Sequence, residues 1–108
     1  MTPEHRDRIY SAMERANLFQ ETSFSLDEAW SVLEALRQVG AVVVVKLDGQ
    51  RKVDKQHAGS DEASPYVVVI NAGGLGDEYV HVEAKTLASA LKRALLDYYE
   101  AVLHDSAV

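Results

Sequence analysis

The spacing of hydrophobic and polar residues changes period several times along the chain, and each change marks an element. Thr2-Pro3 reads as a helix start, because threonine caps free backbone N–H groups and proline suits the first helical position, where a missing N–H costs nothing. Ile9, Met13 and Ala16 then recur at helical spacing, with Glu4 and Arg8 four apart for a supporting ion pair, which predicts a helix over about 3–17. The pattern lapses from Asn17 to Phe24. Ser25-Leu26-Asp27-Glu28 restores it with a capping box, in which serine and glutamate satisfy each other's backbone N–H groups, and opens a second helix over about 26–39. Leu26, Ala29, Trp30, Leu33 and Leu36 are assigned to the buried face of that helix, and Gly40 stands where a left-handed residue ends one.

From Ala41 the chemistry turns to that of strands. The run Ala41–Leu47 is β-branched, stiff in a helix and well suited to a pleated surface; Tyr66–Ile70 follows Pro65 with the same character, and Tyr79–Glu83 alternates apolar with polar residues. Strands are therefore predicted over about 41–47, 66–71 and 79–84. The link DGQRKVDKQHAGSDEAS is too long for a tight turn, whereas NAGGLGDE is glycine-rich and makes a hairpin. Thr86 caps a last helix, about 87–104, with Leu87, Leu91, Ala94, Leu95, Tyr98 and Val102 on one face. A second stripe, Leu96, Tyr99 and Leu103, is placed to pack on the first helix or to contact something else. The order α-α-β-β-β-α predicts a single α+β domain over 1–108, with a three-stranded antiparallel meander packed on helices.

This arrangement leaves apolar residues over. If Val80 and Val82 face the core, then Tyr79, His81 and Glu83 face away. Val42, Val44, Val67 and Val69, or their neighbours, must join them on that outer face, to be covered by the first helix, by a partner or by a second copy in a homodimer.

Composition narrows the function. Of 108 residues, 47% are hydrophobic and 26% charged, which suits a folded chain; 17 acidic against 11 basic residues give a net charge of −6, which repels phosphate backbones and favours basic partners. Without cysteine there is no disulfide, thiolate metal site or thiol nucleophile. No apolar run is long enough to span a bilayer and no secretory leader is evident at the start, so a cytoplasmic location is expected.

Candidate chemistry is sparse. His5, His57, His81 and His104 stand apart, with no metal-ligand spacing. Gly73-Gly74-Leu75-Gly76 leads into a strand, not into the helix N-terminus that a phosphate loop needs. No catalytic residue, metal or cofactor is assigned, and the chain is read as not an enzyme. The candidate protein-binding residues are the carboxylates Asp48, Asp54, Asp61, Glu62, Asp77, Glu78 and Glu83, expected to form an acidic edge, together with Tyr66, Tyr79 and His81.

From Ser25 to Leu103 the order also resembles that of double-stranded RNA-binding domains. That resemblance implies phosphate contacts from Lys85, Lys92, Arg93, Lys52 and Lys55. The final helix, however, opens on Ala84-Lys85-Thr86 with one lysine in place of the family's cluster, and His57 lacks the family's glycine-proline setting. The strand core Val42–Val45, Val67–Ile70 and Val80–Val82, the closing helix from Thr86 and the loop acids Asp61, Glu62, Asp77 and Glu78 resemble, in layout and charge, phage-encoded anti-CRISPR inhibitors. That likeness implies a non-catalytic inhibitor or adaptor on a nucleic-acid-handling protein, with a partner of basic surface and no direct nucleic-acid contact.

Overall fold

In the computed structural model, which describes residues 1–49 and 64–104, the helices are α1 (Pro3–Arg15), α2 (Leu26–Gln38) and α3 (Leu87–Tyr98), and the strands are β1 (Val42–Leu47), β2 (Tyr66–Asn71) and β3 (Tyr79–Ala84). The predicted α+β class and element order are those observed. Each helix starts where its cap predicts: the hydroxyls of Thr2, Ser25 and Thr86 accept from the N–H groups of His5, Glu28 and Ser89. The reciprocal half of the α2 capping box is not made, because the Ser25 N–H donates to the Ala16 carbonyl and ties α2 to the end of α1. Arg8 does not pair with Glu4 but donates to Gln38 of α2 at 2.6 Å.

Both α1 and α2 end in a left-handed residue with the paired bonds that satisfy terminal carbonyls. In α1 the residue is Asn17 (φ 59°), with Leu18 N–H on Met13; in α2 it is Gly40 (φ 85°), with Ala41 N–H on Leu36. The second turn points the chain directly into β1.

The sheet order is β1-β2-β3, antiparallel throughout. Register aligns Val43 with Ile70 and Val80, and Val45 with Val68 and Val82, on one face; Val44, Val69 and His81 share the other. Ile70, Val68, Val80 and Val82 are buried with Ile9, Met13, Leu18, Leu36, Leu91 and Leu95, so all three helices cover that one face.

Past α3 the helix widens into a π turn over Tyr99–His104. The five-residue step buries Leu103 where the α-helical spacing predicted Val102, which is only half-buried. The second stripe of the helix packs on α1, one of the two outcomes its sequence allowed: Tyr99 lies 6.0 Å from Tyr10 between ring centres, and Arg6 donates to the Leu103 carbonyl at 3.1 Å.

Fully buried Tyr98 donates its hydroxyl to the Gly73 carbonyl and so fastens the β2–β3 connection to α3. Burial pushes its pKa from 10.0 up to about 12. A raised folded-state value means that the stabilisation is whole below pH 10 and is lost as pH climbs towards 12. Tyr98→Phe should cost about 1–2 kcal/mol at neutral pH by orphaning the Gly73 carbonyl. Between pH 10 and 12 wild type should approach this variant, because phenylalanine has no proton to lose. Urea midpoints of both proteins from pH 8 to 12 check this; a constant difference would show that Tyr98 has the same pKa in the folded and the unfolded chain.

Candidate protein-binding surfaces

Two surfaces of the fold carry more exposed apolar side chain than a solvated face requires. The first is the outer face of the sheet, where period-two alternation places Val42, Val44 and Lys46 of β1 beside Asn71, Val69 and the buried Val67 of β2 and Tyr79, His81 and Glu83 of β3. α1 does not wrap round to cover this face, because its apolar stripe is spent in the core on the opposite side. Val42, Val44 and Tyr79 remain 54%, 50% and 65% exposed. His81 Nε2 lies 3.6 Å from Glu83 Oε2, and Lys46 Nζ lies 4.0 Å from Asp48.

The candidate residues named from sequence divide by strand geometry. Tyr79, His81 and Glu83 share the outer face, with Asp77 and Glu78 in the connection that enters β3. Tyr66 does not join them: it aligns with Leu47 and Ala84 on the helical side and packs half-buried against the core. Asp48 and Glu83 lie at one end of the sheet and Asp77 and Glu78 at the other, a strand length of about 17 Å away. Antiparallel pairing imposes this split, since β1 and β3 run in the same direction on either side of β2 and end at the same end of the sheet. Asp54, Asp61 and Glu62 lie outside the described residues, as do Lys52, Lys55 and His57.

The second surface was not anticipated. The sequence assigned Leu26 and Trp30 to the buried face of α2, but Trp30 is 73% exposed and Leu26 is exposed as well. Ala29 and Leu36 are buried as expected, but they share the buried face with Val32 and Ala35 and not with Leu26 and Trp30, so that face is rotated towards α1, whose Ala12 and Ala16 are buried too. Small residues let helices approach closely, and that approach turns the bulkier stripe outward. Trp30, Leu33 and Val45 together line two adjoining hollows of about 290 Å³ and 400 Å³ between α2 and β1, which form one apolar trough. Leu26, Leu87 and Leu91 close one end; Glu34 and Arg37 close the other. Arg37 holds the Glu34 carboxyl below its usual range, chiefly by hydrogen bonding, and is itself raised by that bond. The clue available in the sequence was the pair of alanines at positions 29 and 35, which fall on one side of the helix with Val32 and Leu36 and weigh little beside a tryptophan.

The cations that the RNA-binding resemblance nominated have local positions of their own. Lys92 donates to the carbonyls of Gln20 and Glu21, pinning the α1–α2 connection, and Arg93 lies 3.6 Å from Asp97 one turn along α3. Lys85 precedes the Thr86 cap. Among the described residues no group of three or more His, Cys, Asp or Glu side chains comes together, and no helix is long and apolar enough to cross a membrane. No protein family, curated protein or solved structure matches the chain.

Proposed function

We propose that this chain is a non-catalytic protein-binding domain, an inhibitor or adaptor that acts in the cytoplasm on a nucleic-acid-handling protein complex. The observation that carries this reading is the outer sheet face, where Val42, Val44 and Tyr79 stand exposed in register and acidic residues flank them. An apolar patch rimmed by charge is the usual form of an interaction surface, and tyrosine is enriched in such patches. Asp77 and Glu78 beside Tyr79, together with the net charge of −6, favour a partner of basic surface, such as the nucleic-acid groove that an anti-CRISPR-type inhibitor occupies. The same charge opposes direct RNA binding, and the local engagement of Lys92 and Arg93 adds to that.

Immobilised chain, offered bacterial lysate and purified CRISPR effectors, tests the reading. A specific partner should be retained by wild type and bound at least about tenfold more weakly by Tyr79→Ala, since a central aromatic contact contributes about 1–2 kcal/mol or more. Asp77→Asn with Glu78→Gln should weaken binding mainly at low salt. Retention unchanged in both variants would remove this surface from the account, and salt-sensitive RNA binding by wild type in a gel-shift titration would replace it with the RNA-binding alternative.

A further inference from the structure

β1 is an open edge: among the described residues it pairs only with β2. The Asp48 N–H donates to the Pro65 carbonyl at 2.8 Å across the β1–β2 ladder. Because antiparallel ladders alternate, Lys46, Val44 and Val42 direct their backbone groups to β2, while Leu47, Val45 and Val43 direct theirs outward to the open edge. The side chains of those same three residues lie on the helical side of the sheet, where Val43 and Val45 line the apolar trough. A strand laid along this edge would meet backbone partners and apolar side chains at the same residues. No proline interrupts the edge, and Lys46 is its only charged residue.

We propose that the strand is β1 of a second copy, paired antiparallel about a two-fold axis, so that two three-stranded sheets join and the two α2 helices flank the seam. Pairing through a two-fold axis normal to the sheet keeps faces matched, so Val43, Val45 and Leu47 of both copies meet on the helical side and each Trp30 points into the space above the partner strand. Charge and hydrogen bonding select the register. Centring on Lys46 would set two lysines opposite each other, which is unfavourable. Centring on Val44 would ask Ala41 to pair with Leu47, but the Ala41 N–H is already given to Leu36 at 3.0 Å. Centring on Val45 uses all three outward residues, sets Val43 against Leu47 and places Lys46 opposite Val44. Glu34 and Arg37 at the trough mouth offer one charge of each sign, as a self-complementary surface requires.

The area is sufficient for a specific but modest dimer. Trp30, Leu47, Leu26 and Val45, exposed by 73%, 63%, 38% and 37%, with the half-buried Val43 and Leu33, present about 500 Å² per copy and about 1,000 Å² per pair, at the lower limit for a specific interface. This surface is the β1 edge and the α2 side, whereas the partner test above probes β3 and the hairpin before it, so either proposal can fail without the other.

Trp30 is the only tryptophan, so its fluorescence reports on the seam directly. Native mass at several hundred micromolar should be twice the 11.9 kDa of one chain. On dilution the Trp30 emission should shift to longer wavelength as the mass halves. Val45→Lys and Val45→Glu should each be monomeric with unchanged far-ultraviolet circular dichroism, because position 45 faces itself across the axis, and mixing the two variants should restore the dimer. Trp30→Ala should weaken association at least about tenfold. Wild type monomeric at several hundred micromolar, a dimer that Val45→Lys leaves intact, or a mixture that stays monomeric would each overturn the proposal.

Discussion

Gly73→Val is expected to lower the melting temperature by about 15–20 °C. Gly73 has φ +62°, and a Cβ added there would stand 2.7 Å from the Ala41 Cβ and 3.1 Å from both the Ala41 Cα and the Tyr98 hydroxyl. The left-handed backbone costs about 1–2 kcal/mol for a residue with a side chain, and forcing extra atoms into a packed site costs about 1–3 kcal/mol more. Displacing Tyr98 also breaks its bond to the Gly73 carbonyl. A total of about 3–5 kcal/mol is a large share of the 5–15 kcal/mol typical of a domain. Gly76→Ala is the control: its φ is +67° but nothing lies within 4 Å, so only the backbone strain of about 1–2 kcal/mol remains. Thermal melts of the two variants separate packing from strain. Equal losses would mean that the contact with Ala41 and Tyr98 is not tight.

Leu36→Ala should destabilise the protein by about 3–5 kcal/mol, while Trp30→Ala on the same helix should cost about 1 kcal/mol or less. Leu36 is fully buried in the core and its removal leaves a cavity that the surrounding helices and sheet fill only in part. Trp30 keeps most of its surface in water and has little burial to lose. Hydrophobicity alone predicts the opposite ranking, since both residues fell on one apolar stripe and tryptophan is the larger. Urea denaturation of both variants in dilute solution decides between the two orders; a Trp30→Ala loss as large as that of Leu36→Ala would return Trp30 to the core.

That contrast shows which parts of the fold were legible. Ser25, Gly40, Thr86 and the β-branched runs signal their elements through local backbone chemistry, and β2 and β3 end where the pattern ends them. The facing of α2 was not local. It depends on how closely α1 approaches, and the small side chains that permit the approach contribute almost nothing to an apolar count. For the same reason the trough lined by Trp30, Leu33 and Val45 was missed, while Tyr79, His81 and Glu83 were placed on the outer face by period-two alternation alone. The division of the acids between opposite ends of the sheet needed the observed pairing, because spacing along a chain does not say which ends of strands become neighbours.

The π turn at Tyr99–His104 makes the length of the polypeptide negotiable at one point. It holds one residue more than tighter coiling would place between Tyr98 and Leu103, with exposed Glu100 and Ala101 on the bulging side. Excising Ala101 would draw Leu103 back to four places after Tyr98, still on the inward side, so the shortened segment would keep its leucine anchor. Excision in the middle of α3 would instead turn every later side chain by about a quarter of a revolution. Within this last helical stretch a loss is therefore better absorbed at Tyr99–His104 than in α3, because the geometry there already accommodates a surplus residue.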